Sequence, residues 1–200
     1  MNDLAAWIAA TRSIGPFYAG RTTTAAGLLN HAERLAARAS SGRRRAWTAA
    51  LHARTLAAAG QHHDSLAALD RAHAHLAAAA DPPSGTNFFD QHRLDGLAGE
   101  CHLLLREPQP AAELLRQSLA RRAVSDVKGR ALLTLDLAAC RIIENEYGEA
   151  AQLVGAALDL AHGALVRPIL DRARAVRADM AGWTRSQALT DLDARLAEAG

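Results

Sequence analysis

Apolar positions along the chain recur at helical spacing. Leu114, Leu115 and Leu119, and again Leu153, Val154, Ala157 and Leu158, make i, i+3, i+4 stripes, and no segment shows the period-two alternation of a half-buried strand. Breakers fall at Gly15-Pro16, Ser40-Ser41-Gly42, Gly60, Asp81-Pro82-Pro83-Ser84-Gly85, Pro108 with Pro110, Ser125-Asp126, Gly148, Gly163 and Gly182. The segments between them have helical length. They predict leading helices near 3–14 and 20–39, helix pairs across 43–163, and a terminal pair near 166–181 and 185–198. One position stands against the pattern: in RALLTLDLAACRI, residues 130–142, Asp136 sits inside an apolar run. A buried unpaired charge is expensive, so Asp136 must face water, a partner charge or a ligand.

The segments repeat. Aligning NEYGEAAQLVGAAL (145–158) with REPQPAAELLRQSL (106–119) and GQHHDSLAALDRAH (60–73) places Ala150, Ala111 and Ser65 in one column and Ala157, Ser118 and Ala72 in another, seven residues on. In the preceding helices Ala138, Gly99 and Ala53 make a third small column. Small residues at fixed places let two helices approach closely, which is the signature of a helix-pair repeat.

On these three columns, and on the turn Asn145-Glu146-Tyr147-Gly148-Glu149-Ala150 with Gly60 as the best match to the turn glycine, the chain resembles the tetratricopeptide repeat (TPR) family over about residues 43–163. The resemblance implies an all-α, TPR-like right-handed solenoid of antiparallel helix pairs, with about nine or ten helices in a single 1–200 domain. Residues 1–42 would be a degenerate N-terminal pair, 43–163 three recognisable repeats, and 164–200 capping helices. Column spacings of 46 and 39 residues (99 minus 53, 138 minus 99) imply longer helices or loops than the family's usual ~34. FFDQHRLDGLAGECHLLLREPQPAAELL and RALLTLDLAACRIIENEYGEAAQL also resemble the C-terminal repeat region of actinobacterial helix-turn-helix transcription regulators. No DNA-reading segment precedes the repeats here, so the expectation is an isolated sensor region or a stand-alone relative.

The same resemblance puts a concave groove along the first helix of each pair, lined by Trp47 and Arg54, then Arg93 and Glu100, then Asp136. Asp136 is then expected to pair with an arginine of a neighbouring first helix such as Arg93, to hydrogen-bond a ligand together with Arg54, Arg93 and Glu100, or to meet solvent. Trp47 reads first as packing. In the segment that begins at 87, Asn87 or Asp90 reads as a helix cap with Phe88 and Phe89 anchoring the entrance; a pocket rimmed by Phe88, Phe89, Asp90 and Arg93 is the alternative.

Composition narrows the function classes. Half of the residues are hydrophobic, enough for a core, and they are mainly Ala and Leu with 4% aromatics, which suits close-packed helices. A net charge of +2 gives no field for nucleic acid or anionic membrane, and Arg43-Arg44-Arg45 reads as a solvated helix start. No apolar run approaches the ~18 residues of a membrane span, so a cytoplasmic location is expected. Cys101 and Cys140 lack ligand or disulfide spacing and read as core residues, and the nine histidines lack i, i+4 metal spacing, so no metal or other cofactor is expected. No GxSxG or GxxxxGK[ST] occurs, which argues against an enzyme. The expected function is a regulatory or sensor module that binds a peptide, a protein or a small signal ligand, or alternatively a scaffold for partner proteins or for homodimerisation.

Overall fold

The computed structural model describes residues 2–38, 41–80, 88–163, 166–183 and 187–198. The proline loop at 81–85 and the candidate cap Asn87 lie outside them. The described chain runs α1 (Asn2–Arg12), α2 (Ile14–Tyr18), α3 (Thr22–Ala36), α4 (Gly42–Ala58), α5 (His62–Ala77), α6 (Gln91–Leu104), α7 (Pro108–Arg121), α8 (Val127–Ile143), α9 (Tyr147–Leu160), α10 (Arg167–Ala178) and α11 (Gln187–Glu198). No strand occurs among the described residues. The fold class is all-α, as the apolar spacing predicts.

Local chemistry explains where helices begin. Ser41, Asp90 and Asp126 each cap the helix that follows, their side chains accepting from the backbone N–H of Arg44 at 3.2 Å, Arg93 at 3.2 Å and Gly129 at 2.9 Å. Pro108 opens α7, where its missing N–H costs nothing. Gly15-Pro16 separates α1 from α3 as predicted, yet it carries the five-residue α2; proline is tolerated in a first turn.

The turns within the repeats share one backbone device. Gly60, Arg106 and Asn145, the first residues of the three aligned segments, all adopt left-handed φ angles of 71°, 64° and 64°. Glycine does this freely and asparagine tolerably, whereas arginine is strained there. Gly148, read as a breaker, instead lies inside α9, and Asn145 turns the chain. Gly20, φ 70°, extends the register to the N-terminal pair: counting by the same offsets reaches Ser13, Ala25 and Ala32, which are 2%, 0% and 0% exposed.

The chain divides into two compact units, 1–105 and 106–200. In unit 1, α4 packs on α3, α5 and α6, and α1 packs on α3 and α4. Ala53, Ser65 and Ala72 are fully buried where α4 meets α5, and the Ser65 hydroxyl donates to the Ala53 carbonyl at 2.9 Å. At the other end of the pair a Cβ on Gly42 would lie 2.8 Å from Ala79 Cβ, so no larger residue fits without displacing α5. In unit 2, α8 packs on α7, α9 and α10. Ala138, Ala150 and Ala157 are again fully buried, and Leu115, Leu135, Val154, Ile169 and Met180, all 0% exposed, fill the core.

Candidate functional site

The repeat register puts Arg54 of α4 and Glu100 of α6 on one wall, and the structure brings them into contact. Arg54 Nη1 donates to Glu100 Oε2 at 3.3 Å. The guanidinium also lies over the Phe17 ring at 4.1 Å and near the Tyr18 ring at 5.7 Å, both from α2. Arg54 is buried and its Nε has no hydrogen-bond partner. Burial pulls its pKa down, but Glu100 and then Tyr18 more than offset this, so the pKa is raised and the cation is kept. Tyr18 is 73% exposed. The result is a desolvated cation under an aromatic lip that faces solvent.

Arg93, Leu97, Glu100 and Leu104 follow one another at helical spacing along one side of α6, none of them fully buried. The Arg93 guanidinium stacks on Phe88 at 5.2 Å, and its buried Nε has no hydrogen-bond partner. The other predicted positions near this stripe are structural. Asp90 caps α6 and its Oδ1 also lies 2.9 Å from His92 Nδ1. Trp47, 8% exposed, belongs to the core cluster with Leu29 and Leu94 and meets Phe88 edge-on at 5.9 Å. Phe89 is buried in the same cluster, while Phe88 is half-buried. The aromatic pair thus anchors the entrance to α6.

Asp136 lies in unit 2, on α8. Its Oδ1 accepts from Arg172 Nε at 2.9 Å and from Arg172 Nη2 at 2.7 Å, with side-chain exposures of 16% and 32%. Arg172 belongs to α10, a first helix as the register has it, but it is not the Arg93 suggested by sequence. A double-mutant cycle with Asp136→Ala and Arg172→Ala is expected to give a coupling of about 1 kcal/mol in urea unfolding, the scale of a partly exposed ion pair of good geometry. Additivity of the two substitutions would contradict the pairing.

Sequence reasoning missed the α2 aromatics and Arg172. The signal for the first was present: Gly15-Pro16 followed directly by Phe17-Tyr18 concentrates two of the chain's few aromatics beside a breaker. Arg172 has no such signal, because its partner is 36 residues away. The arginine triplet corrects an expectation. Arg44 is 1% exposed, with the Asp3 carboxylate as its largest compensating charge, and Arg43 Nη1 donates to the Phe89 carbonyl at 2.8 Å, so this helix start is packed and not solvated.

The cysteines and histidines offer little reactivity. Burial raises both thiol pKa values, that of Cys140 to about 11, so neither is a ready thiolate. Among the described residues no group of three His, Cys, Asp or Glu could hold a metal ion, and no helix is long and apolar enough to cross a membrane.

No family model matches the chain, and no curated protein matches it. Solved structures do. The chain is similar to a substituted form of a Podosopora anserina kinesin light chain protein of nearly identical TPR-like repeats, with a TM-score of 0.66 at 15% identity, over 100% of this chain and 96% of that one. A second structure of such repeats from the same organism gives 0.63 at 16% identity, over 96% and 92%. Likeness at this identity speaks for backbone geometry alone: this chain has the TPR-like repeat fold.

Proposed function

We propose that the chain is a protein-interaction module that holds a peptide segment of its partner on the α2–α4–α6 face of unit 1. The observation that carries this reading is the Arg54–Glu100 pair under Tyr18. Tyrosine and arginine are the side chains that most often dominate binding energy, and the half-exposed Leu97 and the exposed Leu104 lie on the same side of α6 as Glu100. Arg93 adds a half-buried cation on the same side of α6, suited to a carboxylate on the incoming segment. Trp47 and Asp90 support this face from the core and from the helix start, and Asp136 with Arg172 acts as structural glue in unit 2.

In the setting implied by the resemblance to transcription regulators, the bound segment would be a signalling peptide and the module a sensor. A scaffold would use the same face for a constitutive partner. Neither reading calls for an active site.

Selection from a displayed random-peptide library against the whole chain tests the proposal. Peptides that survive are expected to bind Tyr18→Ala at least about tenfold more weakly, the loss of one aromatic anchor. Tyr18 is mostly solvent-exposed, so this variant should fold normally. Peptides that bind wild type and Tyr18→Ala equally, or an empty selection, would sink the assignment.

A further inference from the structure

The first helix of unit 1 turns a narrow apolar stripe to solvent. On α1, Ala6, Ala9 and Ala10 are buried on the side that packs on α3 and α4. Leu4 and Ile8, one turn apart on the opposite side, are 56% and 47% exposed. Thr11 continues the stripe, and its hydroxyl turns back to donate to the Trp7 carbonyl at 2.8 Å, so it brings no unsatisfied donor to that face. The exposed Arg12 ends the stripe with a long apolar stem.

No other described helix is built this way. The remaining large apolar side chains that are exposed, Tyr18, Leu104, Val124, Leu160 and Val166, fall one to a helix or loop. The last helix, α11, follows the rule for the end of a helical array: Leu189, Leu192 and Leu196 are buried, and Gln187, Thr190, Asp191 and Asp193 face water. An outer helix needs a polar outer face to stay soluble, and α1 lacks one along Leu4 and Ile8.

We infer that α1 is a self-association surface on which a second copy of the chain seats its own α1, antiparallel, with Ile8 on the two-fold axis. The stripe is its own complement. With Ile8 against Ile8, Leu4 of each copy falls against the Thr11 and Arg12 end of the other, where the arginine stem covers the leucine and its guanidinium stays in water. No charge is buried. A head-to-tail stack would need a second apolar helix face to receive the stripe, and no other described helix carries two exposed large apolar side chains. A membrane surface would call for several cations flanking the stripe, where Arg12 stands alone. One helix crossing with two half-exposed aliphatic side chains per copy lies at the small end of specific interfaces, below about 1,200 Å², so the dimer is weak and reversible. The surface uses neither Tyr18, Arg54 nor Glu100, so it stands or falls separately from the peptide face.

The test is sedimentation velocity of the whole chain from about 10 μM to about 1 mM, a range that brackets weak association. A monomer that passes into a dimer, with no larger species, is expected. Ile8→Glu sets two like charges on the axis and should weaken association at least about tenfold. The new carboxylate stands four residues before Arg12, a spacing that supports the helix, so the urea midpoint should not fall. Ile8→Cys reads the geometry: helices packed ~8–10 Å apart bring facing Cα atoms within disulfide reach, and mild oxidation should give a covalent dimer. Both native thiols are buried, and Ala156→Cys, at an exposed position of α9, should cross-link far less. A chain that stays monomeric at 1 mM (about the upper limit for weak pairs), association that survives Ile8→Glu, or growth beyond the dimer would overturn the inference.

Discussion

Ala157→Leu is expected to destabilise the protein by roughly 1–3 kcal/mol, while Ala156→Leu, one residue earlier on the same helix, should change stability by less than about 0.5 kcal/mol. Ala157 is fully buried where α9 meets its neighbours, and Ala156 is exposed. Both substitutions add the same atoms and both residues are good helix formers, so propensity cancels in the comparison. What remains is the room available between helices. Urea unfolding of the two variants measures the difference directly, and equal midpoints would mean that the small columns do not set helix spacing.

Removing the carboxylate at position 100 should cost at least as much. Glu100→Ala leaves the buried Arg54 cation with only the π faces of Phe17 and Tyr18 for company. A fully buried pair broken on one side loses ~3–5 kcal/mol; because the Glu100 side chain is 25% exposed, about 2–3 kcal/mol is expected here. The double replacement Arg54→Met with Glu100→Leu removes both charges at similar volume. It should recover most of the loss, because no stranded ion remains and the apolar side chains stay packed. A double variant no more stable than Glu100→Ala would show that shape, and not the uncompensated charge, dominates at this contact.

These two results bear on how the chain encodes its structure. The helix pairs were legible because each one demands small residues at fixed offsets and a turn residue able to reverse the chain. Ala53, Ser65, Ala72, Ala138, Ala150 and Ala157 are all fully buried. The turn chemistry was only half legible. Gly60 declares its left-handed φ by composition, whereas Arg106 takes the same conformation against its own preference, and nothing in a lone arginine announces that. At the candidate site, register alone put Arg54 and Glu100 together on one wall. It did not supply the aromatic lip, because α2 forms inside what reads as a break, nor the partner of Asp136, because an ion pair across 36 residues is decided by packing between helices. Arg44 shows the same limit: a basic triplet looks solvated until the Arg44 side chain is seen to be buried, with Asp3 of α1 as its compensating charge.

Recognition of a peptide through the α2–α4–α6 face of unit 1 is tested most directly by mapping NMR shift changes in the whole chain as a library-selected peptide is added. The predicted result is a set of perturbations at Tyr18, Arg54, Leu97, Glu100 and Leu104, with the Nε resonances of Arg54 and Arg93 among the largest. Perturbations confined to α8–α11 would contradict it.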